Sequence, residues 1–181
     1  MKINKHRFIL SFALLLFASN LVFSQAEAEI KSIVENFYKF QRTRNGQIST
    51  HELNLLKGWF TPELTQLFRY EIKREDEFVR KHPDDKPYFG DGFPFQPFEE
   101  CVIEEKVILN RLEVGEVKIA ANKATVGVKF FIPKECESQV KDKLLDSYKI
   151  ELLKSKTRWL INDWIYSDGK HLTAILKREK Y

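Results

Sequence analysis

Cysteine occurs twice in the 181 residues, methionine once and histidine four times. Of the histidines, His6 belongs to the N-terminal apolar segment, while His51, His82 and His171 are scattered, with no HExxH and no paired Cys/His spacing. Zinc sites need such ligands at fixed helical or turn spacing, so the expectation is that no metal is bound. Asp84, Asp85 and Asp91 lack the terminal glutamate of a calcium loop. There is no G-x-S-x-G nucleophile elbow and no phosphate-cradling glycine loop, and neither cysteine has an evident basic neighbourhood. No cofactor is expected. Long apolar runs are missing too: the longest, Phe8 to Phe17, has ten residues and is followed by Ser19 and Asn20, short of the roughly 20 needed to span a bilayer.

That ten-residue run nevertheless has a meaning. Lys2, Lys5 and Arg7 precede it, and the small-residue triplets Ser24-Gln25-Ala26 and Ala26-Glu27-Ala28 follow it. A cationic start, a short apolar centre and a small-residue cut site predict a secretory signal peptide over residues 1–26, with a single domain over 27–181 placed in the periplasm or secreted. Loss of the signal removes three of the 30 basic residues and no acid, leaving 27 against 26 acidic. The mature charge of about +1 gives no argument for nucleic acid or an anionic membrane surface as partner. No membrane span is expected after cleavage.

Ile30, Ile33, Val34, Phe37 and Gln41 recur at helical spacing up to Asn45-Gly46. Ser49 and Glu52 form a capping box that opens a short helix through Leu53 and Leu56. Thr61-Pro62-Glu63 starts another helix, with Leu64, Leu67, Phe68, Ile72 and Val79 as its buried stripe and Pro83 as its limit. Beyond residue 100 the period becomes two. Strands are expected over Val102–Leu109, Leu112–Ala120, Ala124–Ile132, around Tyr148–Leu152 and over Trp159–Tyr166, with a bulge at Gly115 where the apolar phase slips. Trp159–Tyr166 is apolar on both parities and so reads as a central strand. Leu172, Ile175 and Leu176 suggest a short terminal helix. The class is α+β: N-terminal helices on one face of a curved antiparallel sheet of about five strands. In that meander Cys101 and Cys136 fall at opposite ends of strands, about 26 Å apart, so both are expected to be free thiols.

The aromatic helix IVENFYKF, the helix start TPELTQLF, the GDGFPF loop and the strand WLINDWIY together resemble the bacterial exported domain of unknown function 3828 family, within the nuclear-transport-factor-like, or cystatin-like, cone superfold. Gly92 stands where that family often has proline. The resemblance implies a pocket between helices and sheet, in a fold that hosts proton transfer, dehydration, cyclisation and plain protein binding.

Two readings of function follow. In the first, the chain is a non-enzymatic binding module for another protein or a small hydrophobic ligand, with Tyr38, Trp59, Phe93, Phe95 and Tyr166 as binding residues and Phe60 and the Tyr88–Phe98 loop adding to the contact surface. In the second, an isomerase- or dehydratase-like enzyme uses Asp91 or Asp163 as general base, with Tyr38 or Tyr166 donating to an enolate. Asp91, between two glycines, equally suits an Asx-turn. Asp163 lies mid-strand among Trp159, Ile161 and Ile165, where a carboxylate must be hydrogen-bonded or neutralised.

Overall fold

The computed structural model describes residues 24–42, 48–89, 94, 95, 97, 101–103, 106–108, 110–133, 136 and 143–178. Helix α1 (residues 24–41) begins ahead of the expected cleavage point and buries Ile30, Val34, Phe37, Tyr38 and Gln41 completely. Helix α2 (Thr50–Leu56) starts where the capping box places it, with the Ser49 hydroxyl accepting the Glu52 N–H at 3.2 Å. Helix α3 (Pro62–Lys81) is capped by Thr61, whose Oγ1 accepts the Leu64 N–H, and proline occupies its first turn where no N–H is needed. Its apolar stripe ends at Ile72. Val79, expected inside, is 42% exposed, while Glu71 and Glu75 are buried instead.

The sheet has four strands rather than about five. β3 (Arg111–Ala120), β4 (Lys123–Phe131), β5 (Leu144–Lys154) and β6 (Trp159–Ile165) pair antiparallel in the order of the chain. The segment expected to be one long strand is two short ones, β1 (Cys101–Ile103) and β2 (Lys106–Ile108), paired with each other in a separate ribbon. Glu104, Glu105 and Lys106 put three charged residues in a row, which interrupts the alternation that a single strand requires. The α+β class holds.

This ribbon overturns the expectation for the cysteines. Cys136 is disulfide-bonded and no described cysteine is free; the sequence holds one other cysteine, Cys101. The opposite-ends argument assumed that Cys101 opens a long strand. In the ribbon Cys101 lies opposite Ile108, three residues before Arg111, which itself pairs with Phe131. With position 101 paired back on position 108 instead of opening an eight-residue strand, the separation assumed between the two cysteines no longer follows.

The bulge at Gly115 is present: the β3–β4 register shifts between Val114 and Val117, and a Cβ on Gly115 would lie 3.2 Å from the Gly127 carbonyl oxygen. A side chain there would push the two strands apart. β6, by contrast, is not central. It is the last strand of the sheet, and its outer edge is closed by the segment before α3: Thr61 donates its N–H to the Ile161 carbonyl and Ile161 donates to the Trp59 carbonyl, both at 2.8 Å. A register shift between Glu151 and Leu152 moves the core-facing parity of β6 from Ile161 to Trp164. That slip is why both parities read as apolar. It also takes Asp163 out of the core-facing row and sets it opposite Glu151. Helix α4 (Leu172–Leu176) then covers that end, burying Leu172 and Leu176.

The core lies between the helices and the even-numbered residues of β4 and β5: Ala124, Val126, Val128, Phe130, Tyr148, Ile150 and Leu152. The ring of Tyr38 meets Phe130, and Phe37 meets Phe60 and Trp164, so α1 packs directly on the sheet.

Candidate functional site

The aromatic loop turns inward at Phe95. This ring is fully buried and touches Phe37, Phe60, Phe68 and Trp164, with centroids 5.4, 5.8, 5.7 and 4.7 Å away. Two tyrosine hydroxyls hold the backbone there. Tyr38 donates to the Phe95 carbonyl at 2.8 Å while accepting the Trp164 indole N–H at 3.1 Å, and Tyr166 donates to the Pro94 carbonyl at 3.0 Å. Three of the expected binding residues, Tyr38, Phe95 and Tyr166, are therefore brought together, but against one another. Trp59 is half-buried against Phe37 and Phe40. Phe93 and Asp91 lie outside the described residues.

Burial disfavours the charged phenolate, so Tyr38, Tyr148 and Tyr166 are all pushed well above the ordinary tyrosine value; at Tyr148 the Asp146 carboxylate adds to the effect, and Tyr148 adds to it at Tyr166. A group raised on folding contributes no loss below its unfolded value near 10, and costs stability as pH climbs beyond it, because the unfolded chain ionises first. Tyrosinate absorbance should therefore show three of the six tyrosines ionising only in one cooperative step that coincides with alkaline unfolding. A smooth titration of all six near pH 10 would refute the burial.

Asp163 is fully engaged. Oδ1 accepts the N–H groups of Trp164 and Thr173, both at 2.9 Å, and Oδ2 contacts His171 Nδ1 at 2.7 Å and accepts the Thr173 hydroxyl at 2.9 Å. It ties β6 to the start of α4, with His171 half-exposed beside it. The arrangement is that of a structural cap, in which a carboxylate satisfies the free N–H of a helix start. Another buried carboxylate was not singled out in the sequence. Glu71 accepts from both Arg74 and Arg178, and Arg74 also donates to the Leu176 carbonyl at 2.6 Å, fastening the C-terminal turn to α3. At the i,i+3 spacing Glu71–Arg74 reads as an ordinary surface pair, and Arg178 is 107 residues away from Glu71 in sequence.

An open cleft of about 640 Å³ lies between α1 and the start of β3, lined by Glu35, Tyr38, Lys39, Arg42, Asn110, Arg111, Leu112 and Val114. Arg42 reaches across it to donate to the Asn110 carbonyl, and Arg111 is fixed by Glu113 and by the Phe131 ring, 4.3 Å below its guanidinium. Half-buried, the Arg42 guanidinium is held below its ordinary pKa by desolvation. Of this lining, sequence reasoning found Tyr38 alone. Among the described residues no group of three or more His, Cys, Asp or Glu could hold a metal ion. No helix of the described residues is long and apolar enough to cross a membrane.

No protein-family model, no curated protein and no solved structure matches the chain.

Proposed function

We propose that the chain is an exported, non-enzymatic binding module that takes its ligand or partner at the open face between α1 and β3. The observation that carries this reading is Phe95: its ring and its neighbours occupy the space between helices and sheet where an enclosed reaction chamber would have to be. The same packing supports the aromatic loop as a plug of the core, while the cleft beside α1 stays accessible. The satisfied state of Asp163 favours binding over proton abstraction, since all its acceptor directions are already used.

Export draws support from two independent features. The N-terminus has the three-part signal pattern, and Cys136 is in a disulfide, a bond that persists in oxidising compartments. Kinship with the domain of unknown function 3828 family, and with the cone superfold, belongs to the same proposal. It is supported by the order of elements, helices first and an antiparallel meander after, and by Phe95 entering between the layers.

The export half is tested by fusing the whole chain to an alkaline phosphatase that is active only outside the cytoplasm. Active fusion, with a mature N-terminus after residue 26 by mass spectrometry, is expected in a bacterial host. An inactive, full-length cytoplasmic product would overturn it.

A further inference from the structure

Lys39, in the last turn of α1, and Arg42, just past its end, line the same cleft as Arg111; Glu35 is the one carboxylate in that lining. Arg111 is paired with Glu113, which leaves Lys39 and Arg42 against Glu35 and the cleft still positive, although the mature chain is close to neutral. Arg42 is the focus of this charge. Its guanidinium carries five N–H donors, and the Asn110 backbone oxygen accepts one of them. Among the described residues no carboxylate pairs with it. A cation drawn partly out of water with a neutral acceptor alone gains strongly from an anion that arrives with fork geometry.

The other wall of the cleft is apolar. Leu112 and Val114 are half-buried and line the cleft from β3. A volume of about 640 Å³ is the size of a small-molecule site rather than of a macromolecular footprint. A near-neutral mature chain also lacks the broad basic field that draws polyanionic partners from a distance. We infer that the α1–β3 cleft binds a small amphiphile through its carboxylate, with the anionic head on Arg42 and Lys39 and the apolar chain along Leu112 and Val114. This rests on the reading of the chain as a binding module and adds the chemistry of what it binds.

The test is a titration of the folded, disulfide-intact protein with octanoate, octanol, octyltrimethylammonium and a short oligoglutamate, followed by amide NMR shifts. Octanoate should saturably move residues 39, 42 and 111–114, and octanol should bind about tenfold or more weakly, the loss of a charge-assisted hydrogen bond. Arg42→Gln should weaken octanoate by a similar factor and leave octanol unchanged. Lys39 is exposed, so Lys39→Gln keeps the fold and should weaken octanoate severalfold even if the Arg42 variant unfolds. Equal response to octanol or to the quaternary ammonium would overturn the carboxylate assignment and keep the cleft as a binding site. A response to oligoglutamate alone would make it a docking surface for acidic protein and overturn the small-molecule assignment. Silence of these amides toward all four probes would overturn this inference and the module's binding face together.

Discussion

Replacing Phe95 by alanine should lower the unfolding free energy by about 3–5 kcal/mol, the range for truncating a fully buried phenylalanine. The ring is at 0% exposure and, among the described residues, contacts Phe37, Phe60, Phe68 and Trp164, so its loss removes both transferred apolar surface and edge-to-face contacts, and these rigid neighbours cannot easily collapse into the space. Urea denaturation followed by tryptophan fluorescence measures the effect, because Trp164 stacks 4.7 Å from the ring. Phe95→Leu, which keeps most of the volume, should cost about 1.5 kcal/mol or less. A loss below about 1 kcal/mol for the alanine variant would mean that the ring does not occupy the core, and the argument for a filled interior would go with it.

Breaking the disulfide is expected to have an effect of similar size. A bridge between Cys136 and Cys101 closes a loop of roughly 35 residues, for which restriction of the unfolded chain contributes about 4 kcal/mol. Denaturant curves of the oxidised protein and of the Cys136→Ser variant should differ by that amount, with the change in midpoint carrying most of it. Thiol titration of the unreduced, denatured protein should find no free thiol. Two reactive thiols per chain would contradict the bond directly.

Much of the fold was legible because its signals are local. Ser49 and Thr61 cap the helices that follow them, Gly115 marks a real register slip, and the alternation from Ala124 to Phe130 points one side chain in two at the core. The failures share a different cause. Whether Val102–Leu109 is one strand or two depends on pairing partners, and the cysteine geometry followed from that choice. The position of β6 at an edge is set by residues 59–61, a hundred positions upstream, which no window of sequence can see. Asp163 looked core-facing because a period of two was carried through a register slip invisible in the residues themselves.

For the site, the sequence disclosed the aromatic residues but not their purpose. Tyr38, Phe95 and Tyr166 do converge, yet rings suited to gripping a ligand are equally suited to gripping each other, and composition cannot separate these outcomes. The cleft was missed because its cations come from the last turn of one helix and the first residue of a distant strand, with no shared spacing to betray them.

The closing contacts of this molecule are mostly supplied by its last quarter. Ile161 receives the strand-like entry to α3, Trp164 meets Tyr38 of the first helix, and Arg178 reaches Glu71. Contacts between positions so far apart in sequence predict slow acquisition of structure. A chain of this kind, emerging from a ribosome N-terminus first, has no finished interior until residues 161–178 arrive.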